Sequence, residues 1–66
     1  MIDDDRILDA LDSEEWRTAE TVVAHLPPSR YIDGRKVGGR LSSLRNRGYV
    51  ESRTAPDGYR AEWRLV

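Results

Sequence analysis

The chain has 66 residues, no cysteine and a formal net charge of −1, with 35% of its residues charged. A chain this short is expected to form one domain over residues 1–66 that buries only roughly 60% of the surface it exposes unfolded, with no disulfide framework and no thiolate metal site. No stretch approaches the roughly 20 apolar residues of a membrane span and the start MIDDDR is the opposite of a basic leader, so a soluble, cytoplasmic protein without a membrane partner is expected.

From Asp3 to about Ser13, Ile7, Leu8 and Leu11, with Ala10 between them, keep helical spacing, and acids fill the first turn, where the helix dipole favours them. The remaining acids of this first helix read as a solvated outer face. Glu14 to Arg17 breaks the pattern, and Trp16 is expected to close one end of the core or to form a very short strand. Thr18 suits the N-cap of a second helix over Ala19–Leu26, whose Ala19, Val22, Val23 and Leu26 share a side and which Pro27-Pro28 stops. His25 has no second histidine or cysteine to join it, so a surface or capping role is expected and a metal is not. Residues 27–34, PPSRYIDG, form a small loop in which Asp33 caps the third helix and Tyr31 or Ile32 packs beneath, the alternative being that Tyr31 stays exposed near a phosphate backbone.

The third helix opens the run RKVGGRLSSLRNRGYVE, residues 35–51. Val37, Leu41 and Leu44 fall on one narrow stripe at about 100° per residue. Arg35, Gly39, Ser42 and Asn46 lie opposite, and Lys36, Arg40, Ser43 and Arg47 line one flank. Arg45 lies nearer the apolar side and is expected to pair with an acid of the first helix. Gly38 and Gly39 cost on the order of 1 kcal/mol each relative to alanine. To offset that, either a neighbouring helix approaches closely at Gly38, or Gly39 lets the helix sit near another surface. Gly48 closes the helix in a left-handed conformation.

Tyr49–Thr54 and Tyr59–Val66 then alternate with period two around Ala55-Pro56-Asp57-Gly58, which predicts an antiparallel hairpin. Ala61, Trp63 and Leu65 are expected to face the helices, leaving Arg53, Arg60 and Arg64 outward or near the tip. Charge is strongly segregated along this order. Residues 1–20 hold eight acids against two arginines, and residues 30–48 hold six cations against Asp33 alone. A polyanion meets the local patch rather than the sum; the alternative is that the two segments neutralise one another across the fold.

Thr18-Ala19-Glu20 opening the second helix, Arg40-Leu41-Ser42-Ser43-Leu44-Arg45 in the third and Arg47-Gly48-Tyr49-Val50-Glu51 leading into the hairpin together resemble the winged helix-turn-helix family of prokaryotic transcription regulators. The resemblance covers Asp3 to Val66. The use of ten arginines to one lysine, with abundant aspartate, looks like a haloarchaeal or GC-rich source. The resemblance implies an α+β fold, three helices followed by a two-stranded antiparallel wing, with helix three in the DNA major groove and the wing on the backbone or minor groove. The implied function is sequence-specific or semi-specific binding of double-stranded DNA by a transcription regulator, as a monomer, a homodimer or part of a larger regulatory assembly.

On that reading Arg35, Ser42 and Asn46 are candidates for base edges, because arginine can fork onto guanine and asparagine onto adenine. Lys36, Arg40, Ser43 and Arg47 on the flank, Arg30 in the loop and Arg53 and Arg60 on the wing suit phosphates. The alternative is a protein-interaction module on the same scaffold without DNA binding. No nucleophile–base pair, metal set or glycine-rich phosphate loop occurs, so neither an enzyme nor a cofactor is expected.

Overall fold

Three short polar side chains decide where the helices begin. In the computed structural model, which describes residues 3–28 and 30–66, Asp3 Oδ1 accepts from the Asp5 N–H at 3.0 Å, Thr18 Oγ1 from the Thr21 N–H at 3.2 Å and Asp33 Oδ1 from the Lys36 N–H at 2.9 Å. Each satisfies an amide that the first turn leaves free. The helices that follow are α1 (Asp4–Asp9), α2 (Ala19–Ala24) and α3 (Gly34–Asn46). The leader residues Met1 and Ile2 lie outside the described residues.

The helices end where local chemistry offers the backbone something else. α1 stops well short of Ser13, because Asp12 Oδ2 accepts from the Glu14 and Glu15 amides at 2.8 and 2.7 Å and holds the chain in a turn. α2 ends at Ala24 rather than Leu26, the proline pair having no place for a further turn. α3 ends as glycine allows: Gly48 has φ +87°, the Tyr49 N–H donates to the Leu44 carbonyl and the Gly48 N–H to the Arg45 carbonyl, both at 3.0 Å.

The expected two-stranded hairpin is part of a three-stranded antiparallel sheet of order β1-β3-β2, built from β1 (Arg17–Thr18), β2 (Val50–Thr54) and β3 (Ala61–Leu65). Arg17 pairs with Trp63 and Thr18 with Glu62, directly after Trp16. Two tertiary bonds fasten this segment: the Leu65 N–H donates to the Asp12 carbonyl at 2.9 Å, and Arg17 Nη1 donates to the Ala10 carbonyl at 2.7 Å.

The core joins all three helices to the sheet through Ile7, Leu11, Val22, Leu26, Val37, Leu41, Leu44, Val50 and Trp63. Five of these, Ile7, Val22, Val37, Leu41 and Leu44, are completely enclosed. At about 1.5–3 kcal/mol each, their burial outweighs the roughly 2 kcal/mol that two helical glycines cost. Trp63 and Leu65 face this core, but Ala61, at the hairpin end of β3, is exposed and does not face the helices as expected. In the loop it is Ile32 that packs against the core, while Tyr31 is exposed. No helix among the described residues is long and apolar enough to cross a membrane.

Candidate nucleic-acid interface

The buried stripe of Val37, Leu41 and Leu44 fixes the rotation of α3 and therefore what its outer side presents. Arg35, Lys36, Gly39, Arg40, Ser43, Asn46 and Arg47 are exposed, whereas Ser42 is half-buried. Arg35 and Lys36 occupy the first turn, at the positive end of the helix dipole, and no acid shares that turn. Cations there cost a few tenths of a kcal/mol or more. Two acids offset this from outside the helix: Asp33 at the cap, and Glu20 of α2, whose Oε1 lies 3.5 Å from where a Cβ on Gly34 would stand. Lys36 is steadied by donating from Nζ to the Tyr31 carbonyl at 2.9 Å.

The candidate cations divide into two sets. Among the described residues Arg30, Arg35, Lys36, Arg40 and Arg45 have no ion-pair partner. Arg30 stacks 5.8 Å from the Tyr31 ring centroid. In contrast, Arg47 meets Asp4 of α1 at 3.5 Å, Arg53 meets Glu62 at 2.9 Å and Arg60 meets Asp57 at 3.3 Å. The acidic leader thus takes one cation of α3, and the hairpin neutralises its own. The acid of the first helix pairs with Arg47, one turn-flank away from the Arg45 expected to meet it. Arg45 instead donates from Nη1 to Ser52 Oγ at 3.2 Å and lies 5.7 Å from the Trp63 ring centroid, bracing α3 against the sheet.

Trp16, expected as a core lid or a strand, serves as a platform. Arg53 and Arg64 hold their guanidinium carbons 4.6 and 4.3 Å from its ring centroid, and Arg64 also bonds Glu51 at 2.8 Å. Period-two alternation gave Arg53 and Arg64 their side of the sheet, but nothing local in the sequence ties them to Trp16. Near the tip, Asp57 Oδ1 accepts from the Tyr59 amide at 2.9 Å, and this bond, followed by those to Arg60, holds its carboxyl below the usual aspartate range. Tyr59 is 93% exposed there.

The glycines have no intramolecular use as spacers. A Cβ added at Gly38 or at Gly39 would meet nothing within 4 Å, so the expected close approach of a neighbouring helix at Gly38 is absent. His25 is exposed, its Nδ1 2.8 Å from the Thr21 carbonyl of its own helix. Among the described residues no three histidine or acidic side chains gather where a metal ion could sit. In comparisons with known proteins, no family model, no characterised protein and no solved structure matches this chain.

Proposed function

We propose that this chain is a winged helix-turn-helix module that binds double-stranded DNA and regulates transcription, with α3 entering the major groove. The observation that carries the reading is the outer side of α3: it gathers Arg35, Lys36 and Arg40, three exposed cations with no ion-pair partner among the described residues, whereas α1 holds the single unpaired Arg6 among acids. Two of those cations, Arg35 and Lys36, stand at the positive end of the helix dipole, a cost that Asp33 and Glu20 offset only from outside the helix. The element order adds support, with a short strand between the first two helices joining the hairpin in one sheet.

On this reading Arg35 and Asn46 address base edges, and half-buried Ser42 addresses them less directly. Lys36, Arg40 and Ser43 hold phosphates, with Arg30 beside them at the start of the helix. Fluorescence anisotropy with random and selected duplexes, over a range of salt, tests it. Arg40→Ala is expected to weaken all duplexes alike and to flatten the salt dependence, while Arg35→Ala costs about 1–3 kcal/mol on the preferred site and relaxes one position. Undiminished binding by the Arg35→Ala/Arg40→Ala double variant refutes the assignment.

The second reading, a protein-interaction module, is favoured by the self-paired hairpin and by the acidic α1. DNA binding and protein binding separate in the same titration, because only a DNA reader loses affinity log-linearly as salt rises.

A further inference from the structure

We propose that β2 is the dimerisation edge of this protein, pairing antiparallel with β2 of a second copy about a two-fold axis at Ser52. The order β1-β3-β2 leaves β2 with one side unpaired. Its register against β3 runs without a bulge from Val50↔Leu65 to Thr54↔Ala61, and is framed by the Val66 N–H donating to the Tyr49 carbonyl and the Ala55 N–H to the Arg60 carbonyl. Antiparallel ladders alternate. Residues 49, 51, 53 and 55 therefore aim their backbone groups at β3, and Val50, Ser52 and Thr54 aim theirs away from it.

Only registers that bring outward groups opposite outward groups can bond across this edge, and three keep the pairing within the strand. One sets Glu51 opposite Glu51 of the second copy, and one sets Arg53 opposite Arg53. The third sets Ser52 opposite Ser52, with Glu51 facing Arg53 of the second copy on both sides of the axis. Like charges directly across a pair destabilise and opposite charges contribute about 0.2–1 kcal/mol each, so charge selects the third.

That register also continues a pattern already present in each sheet. Within one copy Glu51 bonds Arg64 at 2.8 Å and Arg53 bonds Glu62 at 2.9 Å across the same outer face. Pairing at Ser52 extends this into one row, Trp16, Arg64, Glu51, then Arg53, Glu62 and Thr18 of the second copy, in which positive and negative side chains alternate across the boundary. Arginine offers five N–H donors and a carboxylate about four acceptor sites, so each can serve a neighbour on both sides. Val50 is only 2% exposed while Thr54 is open. Thr54 then runs beside the covered Val50 of the second copy, and the ladder is short. The association belongs at the weak end of specific interfaces.

The test needs no DNA, so its failure leaves the proposed function standing and the reverse holds too. Sedimentation equilibrium of the native chain from micromolar to millimolar concentration is expected to show a monomer–dimer equilibrium; a monomer throughout overturns the proposal. Ser52→Pro removes an outward N–H without touching the backbone bonds to β3, but also the Oγ to which Arg45 donates, so Ser52→Ala serves as its control: the proline variant is expected to be monomeric and the alanine variant to remain a dimer. The chain has no cysteine, so a single introduced one reports only on its own copy. Across the axis Ser52→Cys places two Cα atoms about 5.5 Å apart, within disulfide reach, whereas Thr54→Cys places them about 14 Å apart. Rapid disulfide dimers at 52 and none at 54 support the edge, and cross-linking at 54 but not 52, or a dimer that Ser52→Pro leaves intact, overturns it.

Discussion

At the scale of single residues, the contact between Asp4 and Arg47 binds little and withholds a charge. It spans 3.5 Å between a half-exposed arginine and a partly buried aspartate, and pairs with one such exposed member contribute about 0–1 kcal/mol. The other carboxylate oxygen, Asp4 Oδ1, is buried without a hydrogen bond, which subtracts from that gain. Asp4→Asn is therefore expected to change stability by no more than about 0.5 kcal/mol. Under the proposed function it releases Arg47 to the phosphates and steepens the dependence of log affinity on log salt by about 1. Anisotropy titrations at several salt concentrations, beside urea denaturation, check both halves. Asp12 gives a second handle. Its carboxyl lies below the ordinary aspartate value of 3.8, chiefly because it accepts from the Glu15 amide and then from that of Glu14. A carboxylate whose folded value is depressed contributes stability that is present above the unfolded value and disappears as pH falls through the folded one. The urea midpoint is thus expected to drop on acidification through and below pH 3.8, and Asp12→Asn is expected to start lower at neutral pH and to fall less across that window.

At the scale of elements, α3 carries a conflict between helix stability and some other requirement. Replacing Gly38 and Gly39 by alanine removes about 1 kcal/mol of helix cost each, and neither new methyl meets an atom within 4 Å. Both variants are therefore expected to raise the unfolding midpoint. Under the proposed function they part company in DNA binding: Gly39 is exposed on the outer side and Gly38 half-buried toward the side of the helix. Gly39→Ala is expected to weaken affinity where the helix backbone lies close to the groove, and Gly38→Ala to leave it unchanged. Equal effects of the two in anisotropy titrations remove close approach as the reason for the glycines. Much of this element was legible in sequence, because the 3.6-residue period of Val37, Leu41 and Leu44 is enforced by burial, Asp33 caps with its side chain an amide three residues on, and Gly48 acts through its own backbone. What stayed hidden depends on contacts distant in sequence. A very short strand near Trp16 is one of two options the sequence leaves open; β1, at Arg17–Thr18, is too short to show any period, and Trp63 and Glu62 opposite decide between them. The early end of α1 reflects the amides that Asp12 gathers, an option that competes with helix at nearly equal energy. Helical spacing put Arg45 near the apolar side, yet only the fold brings Ser52 and Trp63 there.

At the scale of the whole molecule, a net charge of −1 says little about the surface a duplex meets. The extents are 29 × 24 × 18 Å, roughly two to four times a Debye length of about 8 Å at physiological ionic strength. A phosphate backbone approaching the outer side of α3 therefore responds mainly to that side. The cations around the fold fall into those already neutralised by a carboxylate and those that are not, and only the second kind can neutralise a phosphate, and so release the counterions condensed on the duplex, without first giving up an acid. Of the residues assigned to phosphates, Arg30, Lys36 and Arg40 are in the second group, while Arg47, Arg53 and Arg60 are in the first. If the unpaired set alone engages DNA, the slope of log affinity against log salt is about −3; if the paired set exchanges its acids for phosphates as well, it approaches about −5. The shallower slope is expected, because Arg53 is held by both Glu62 and the Trp16 ring and Arg60 by the Asp57 turn. Consistently, Arg40→Ala should reduce the slope by about 1, and Arg53→Ala and Arg60→Ala should each change it by much less. A slope near −5 that falls on removing either hairpin arginine would show that the hairpin opens its own ion pairs to reach the phosphates.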